Sequence, residues 1–117
     1  MHLSRYKKGD IDIIEIGGKL EDSHSQEFID YIDEIISAGS SYLIIDMNSL
    51  DYISSSGLGA ISAKHISLSI RGGKLILTQM KPNIEKVFQI TRILRIIPNY
   101  PTLKDALEDL ERQKPGS

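Results

Sequence analysis

The first run of residues alternates. His2 to Lys7 sets polar against apolar positions weakly, and Ile11-Asp12-Ile13-Ile14-Glu15-Ile16 does so with more apolar weight, on either side of Gly9-Asp10. Two period-two runs joined by Gly-Asp predict an antiparallel hairpin. Gly17-Gly18, near the end of the second run, predicts a bulge or bend there. The period then changes. Phe28, Ile29, Ile32, Ile35 and Ile36 recur as one helical face, with Ser23 and Gln26 ahead of them in the capping-box relation and Gly39 as a stop. Tyr42 to Met47 is short and almost wholly apolar, the mark of a strand covered on both faces. Asn48 to Ser56 reads as a loop. Gly57 opens a helix reaching about Arg71, with Leu58, Ile61, Ile66, Leu68 and Ile70 as its apolar positions and Gly72-Gly73 as its end.

Lys74 to Met80 reads as another strand. Pro82 suits the first turn of a helix whose one side carries Ile84, Val87, Phe88 and Thr91. Arg95-Ile96-Ile97 reads as a short last strand before Pro98, and Thr102 with Asp105 caps a final helix burying Leu103, Ala106, Leu107 and Leu110. The order is ββαβαβαβα. It predicts a single α/β domain over residues 1–112: a mixed, mostly parallel sheet with an N-terminal hairpin, about four helices and right-handed crossovers. Residues 113–117 are expected to form a flexible polar tail.

Composition narrows the chemistry. A chain of 117 residues suits one domain, and 40% hydrophobic against 26% charged residues is enough apolar material for a core. A net charge of −2 speaks against nonspecific nucleic-acid binding, which needs a basic field. No apolar run approaches the roughly 20 residues of a membrane span, so no membrane partner is expected. The opening residues lack the apolar stretch of a secretory signal. Zero cysteines remove disulfides, thiolate nucleophiles and zinc–thiolate centres, and fit a cytoplasmic protein. His2, His24 and His65 have no metal-ligand spacing. No metal or cofactor is expected.

One segment stands apart: Ser54-Ser55-Ser56-Gly57-Leu58-Gly59, where a strand region gives way to a helix. A helix N-terminus offers unpaired N–H groups and the positive end of the dipole, so it tolerates an anion. A phosphate on a serine there adds about −1.5 to −2 charge and three acceptor oxygens. The plainer reading is that one serine N-caps the helix and the other two are solvated. A nucleotide-cradling P-loop needs Lys and a hydroxyl residue after its second Gly, where Ala60-Ile61 stands instead. A hydrolase elbow needs Gly two residues before the nucleophile, and none is there. His65, in mid-helix, reads as surface or half-buried. Glu21, Asp22 and Asp51 either form an acidic rim beside the serines or prepare a helix start and fill a loop. Asp46, closing an apolar strand, must find donors such as loop N–H groups. Lys81, Lys86, Arg92 and Arg95 read as a solvated face.

Tyr52-Ile53-Ser54-Ser55-Ser56-Gly57-Leu58-Gly59-Ala60-Ile61 resembles the phosphorylation loop and following helix of STAS domains of the bacterial anti-sigma factor antagonist type. Gly17-Gly18-Lys19-Leu20-Glu21 resembles the family's Gly-x-Leu-acid segment, Leu43 to Met47 its central strand, Gly72-Gly73-Lys74-Leu75 its Gly-Gly turn, and Pro82 through Leu94 its third helix. The resemblance implies a non-enzymatic switch. Unphosphorylated, such a protein binds an anti-sigma factor that is also a serine kinase. Phosphorylation of a loop serine releases it, and a metal-dependent PP2C-type phosphatase resets it. The Gly-Leu-Gly match places the acceptor on Ser55, with Ser54 or Ser56 as fallbacks. The implied partner surface is Glu21, Asp22, Ile53, Ser54, Ser56, Gly57, Leu58 and Gly59. Two departures stand out: Ser54 replaces the acid common before the acceptor, and Arg92 replaces the Gly of Thr-Gly-Leu in the third helix. Two competing readings are a passive STAS scaffold or sensor and an aspartyl-phosphate receiver centred on Asp46.

Overall fold

Five strands lie side by side in chain order. In the computed structural model, which describes residues 1–113, they are β1 (His2–Lys8), β2 (Ile11–Leu20), β3 (Tyr42–Ile53), β4 (Lys74–Thr78) and β5 (Asn99–Tyr100). The helices are α1 (Ser25–Ser37), α2 (Ser55–Ile70), α3 (Pro82–Ile90) and α4 (Leu103–Gln113). β1 runs antiparallel to β2, His2 facing Gly17 and Lys8 facing Ile11, and every later pairing is parallel. The ββαβαβαβα order is the expected one. Gln113, assigned above to the tail, still belongs to α4, and residues 114–117 of that tail lie outside the described residues.

Strand alternation divides the core in two. Ile14, Ile16, Leu43, Ile45, Leu75 and Leu77 turn to the face covered by Phe28, Ile32 and Ile35 of α1, Ile61 and Leu68 of α2, and Ile84 and Phe88 of α3. Ile11, Ile13, Ile44 and Ile76 turn to the other face, against Ala106 and Leu110 of α4. This two-sided cover is why the start of β3 is apolar without interruption. Among the described residues no helix is long and apolar enough to cross a membrane.

Several local expectations change. Helix α1 starts at Ser25, not behind a Ser23–Gln26 box. A 3-10 turn over Asp22–His24 precedes it, closed by His24 N–H to Glu21 O (3.0 Å) and by Glu21 N–H against His24 Nδ1 (3.3 Å). β3 does not end at Met47. It continues to Ile53 beside Gly17–Leu20 of β2, through register shifts that place buried side chains at Met47, Leu50 and Ile53. That spacing of three hides the strand from a period-two reading, and Gly18, with φ 76°, supplies the bend. Ile66 and Ile70 are 53% and 81% exposed, because the inward face of α2 runs through Leu58, Ile61, His65 and Leu68. Thr91 is exposed at the end of α3, its hydroxyl donating to Val87 O and Phe88 O.

The last strand is Asn99–Tyr100 rather than Arg95-Ile96-Ile97. Ile93–Arg95 form a 3-10 turn, and the N–H groups of Ile96 and Ile97 both return to Ile93 O (2.9 and 3.0 Å), leaving none for a sheet. That turn is entered through Arg92 at φ 61°, ψ 15°, a left-handed conformation that glycine adopts freely. The backbone therefore bends where the resemblance expects Gly, and Arg92 carries the strain. Arg92→Gly should raise stability by about 0.5–1 kcal/mol, the left-handed penalty less glycine's entropy cost. Urea unfolding reads this, and a lower midpoint for the variant would contradict it.

Candidate functional site

β3 delivers the chain to the tip of the sheet, where Ser54 N–H donates to Leu20 O of β2 (2.9 Å). Ser54 is the N-cap of α2: its backbone is extended (φ −85°, ψ 170°), and its Oγ accepts the Gly57 N–H at 3.1 Å. Helix α2 thus begins at Ser55, two residues before the start expected from Gly57. Gly57 rests on the strand ends. A Cβ there would lie 2.9 Å from Leu20 Cγ and 3.0 Å from Ile53 Cγ1, whereas a Cβ on Gly59 meets nothing within 4 Å. Opposite effects are expected from the same change. Gly57→Ala should cost about 1–3 kcal/mol by lifting the helix off the sheet. Gly59→Ala should add up to about 1 kcal/mol, since its site is exposed helix. Paired thermal melts check both signs, and a stabilised Gly57→Ala would overturn this packing.

The three serines have separate fates. Ser54 is 6% exposed and spends its oxygen on the cap. Ser56 Oγ donates to Asp22 Oδ1 (2.7 Å) and lies 2.7 Å from Ser25 Oγ and 3.2 Å from Ser54 Oγ. Ser55, the first residue of the helix, is exposed, and among the described residues its hydroxyl has no hydrogen-bond partner. Asp22 is fully exposed, and the hydroxyls of Ser56 and then Ser54 hold its carboxyl below the usual range, with the Ser56 N–H adding to them. A carboxylate beside a helix N-terminus also complements the dipole.

The remaining candidates fall in different places. Glu21 and Gly59 are exposed near these groups, while Ile53, Gly57 and Leu58 are buried and serve as the floor of the turn. Asp51 leaves the cluster, pairing with Lys81 Nζ (2.5 Å) and accepting Asn83 Nδ2–H at its carbonyl (2.9 Å). Asp46 sits on the α4 side of the sheet, 6% exposed. It accepts the Asn48 N–H as expected and also Gln79 Nε2–H on both oxygens, all at 3.0 Å. Lys86, Arg92 and Arg95 are exposed. His65 is buried rather than half-exposed, and burial, then Lys74, pushes its pKa down, favouring the neutral imidazole. Ser25 is the member that sequence reasoning missed. It carries no motif, and its contact with Ser56 joins residues 31 apart.

Known proteins share this arrangement of elements. A model of the STAS domain matches residues 2–106. An anti-sigma F factor antagonist of Paenibacillus polymyxa is 25% identical over 101 residues, covering 85% of this chain and 86% of its own. The crystal structure of TM1081 from Thermotoga maritima superimposes with a TM-score of 0.90 at 24% identity, covering 94% of this chain and 95% of that one. The anti-sigma factor antagonist SpoIIAA in its unphosphorylated form does so with a TM-score of 0.74 at 20% identity, covering 97% and 100%. With the family match running from β1 into α4, the chain belongs to the STAS domain family.

Proposed function

We propose that this chain is an anti-sigma factor antagonist that works by partner switching. With Ser55 unmodified it binds an anti-sigma factor that is also a serine kinase and so frees the sigma factor. Phosphorylation of Ser55 ends the complex, and a PP2C-type phosphatase restores the free hydroxyl. The carrying observation is the isolation of Ser55: of three adjacent serines it alone is exposed without a partner among the described residues, at the first position of α2. A phosphate there lies at the positive end of the α2 dipole, which favours an anion. SpoIIAA shares this fold in its phosphorylated form (TM-score 0.72) as in its unphosphorylated form (0.74), which is in keeping with a switch that leaves the overall fold in place. The role is regulatory, not enzymatic, and the only metal it calls for belongs to the phosphatase.

Incubation with an anti-sigma-type serine kinase of the same organism and Mg-ATP, read by intact mass, tests this. One added phosphate on the native chain and none on Ser55→Ala is expected. No phosphate, or unchanged labelling of Ser55→Ala, overturns it. A passive STAS module, with serines that only cap a helix, is served by Ser54 alone and leaves Ser55 without a task. The receiver reading lacks an exposed acceptor, since Asp46 is buried and held by Asn48 and Gln79.

A further inference from the structure

We propose that Asp22 is a positioning residue that restricts phosphoryl transfer to Ser55 by locking the hydroxyl of the neighbouring Ser56. The inference rests on the Ser55 reading above and adds to it the reason one of two adjacent exposed serines reacts. An ionised carboxylate can only accept hydrogen bonds, so it sets the direction of every hydroxyl behind it. The Ser56 proton must point to Asp22 Oδ1 at 2.7 Å. With that proton committed, Ser56 Oγ can only accept from Ser25 Oγ at 2.7 Å and Ser54 Oγ at 3.2 Å, hydroxyls that also reach Glu21 O (3.5 Å) and the Asp22 carboxylate. Ser54 Oγ accepts the Gly57 N–H, so its one proton is left for this cluster. Hydrogen bonds thus run from the Gly57 N–H through the serine hydroxyls to Asp22.

Transfer needs an unengaged lone pair. The attacking Oγ forms a bond to the γ-phosphorus of ATP, the bond from that phosphorus to the ADP oxygen breaks, and the hydroxyl proton passes to a base on the kinase. Ser56 Oγ is held by three neighbours and must turn away from at least one of them to attack, whereas Ser55 has both lone pairs open. Asp22 comes from the turn between β2 and α1, so a negative group stands beside these serines although residue 54 itself carries none.

The test maps phosphosites by fragmentation mass spectrometry on the full chain, using the same kinase and Mg-ATP. The native protein should carry label on Ser55 only. Asp22→Ala removes the acceptor, and the share of label on Ser56 should rise about tenfold or more above background, the scale of one lost charge-assisted hydrogen bond. Asp22→Asn keeps an acceptor oxygen at the same place and should return the label to Ser55, a rescue that a merely structural role would not produce. Label confined to Ser55 in Asp22→Ala overturns the inference and leaves the Ser55 reading standing. Label on Ser56 of the native chain overturns the inference too. A native chain that takes no phosphate overturns both.

Discussion

Phosphate on Ser55 should weaken binding to the anti-sigma partner about a hundredfold, because like charges facing one another across an interface cost several kcal/mol and about 3 kcal/mol is two decades of affinity. The group adds about −1.5 to −2 charge to a hydroxyl that now lies bare on the surface. Inside the domain its reception is mild. The N-terminus of α2 favours an anion, while the exposed Asp22 carboxylate nearby opposes it, so the two effects offset and the fold stays as stable as before. Across the interface no such offset exists unless the partner supplies a cation. The penalty is therefore paid on docking, and rising salt should shrink it, since the Debye length falls from about 10 Å at 0.1 M to about 3 Å at 1 M. Ser55→Asp carries one charge on a shorter arm and should lose about tenfold, near half the penalty of phosphate. Ser55→Ala should bind as the native chain does. Calorimetric titration of the three forms with the purified anti-sigma partner measures this series. Equal affinities for the phosphorylated and native chains would remove the switch.

The architecture was legible wherever burial follows a simple period. α1 and α4 show their apolar stripe, and β4 and the first half of β3 show the unbroken apolar run of a strand covered on both faces. Legibility failed where two periods overlap. In β3 the register shifts against β2 move the buried positions to Met47, Leu50 and Ile53, which imitates a loop. In α2 the true inward row, Leu58, Ile61, His65 and Leu68, passes through a histidine, so hydrophobicity alone favours Ile66 and Ile70 although the spacing points to His65. The site divides the same way. A run of three serines before a glycine announces a helix start, but only the fold says that Ser54 takes the cap. Ser25 and Asp22 enter by contacts across 31 and 34 residues, which no local pattern can carry.

Gly73→Ala should be the most damaging single methyl in the chain, costing about 3 kcal/mol or more, at or beyond the upper range for overpacking. An added Cβ would lie 2.2 Å from Ser41 O, 3.1 Å from Ser41 C and 3.3 Å from Leu68 Cδ2. The nearest of these is backbone, so it cannot swing aside as the tip of a side chain can. It is also already engaged: Ser41 O accepts the Lys74 N–H at 2.8 Å, next to the Tyr42–Lys74 pairing that opens the β3–β4 ladder. On the other side, Gly73 N–H donates to Leu68 O at 2.8 Å and so closes the end of α2. A methyl group must either pry β3 from β4 or unwind that helix end, and each course gives up hydrogen bonds as well as packing. Gly72 provides the control. Its φ of 79° strains any other residue, but its Cβ would meet nothing within 4 Å, so Gly72→Ala should cost only about 1–2 kcal/mol. Against the 5–15 kcal/mol that holds a typical domain together, a loss of about 3 kcal/mol is a large share of the total. Guanidinium titration of both variants, with m held in common, gives the ranking. A Gly73→Ala midpoint at or above that of Gly72→Ala would mean that β3 and α2 are not pinned together at this turn.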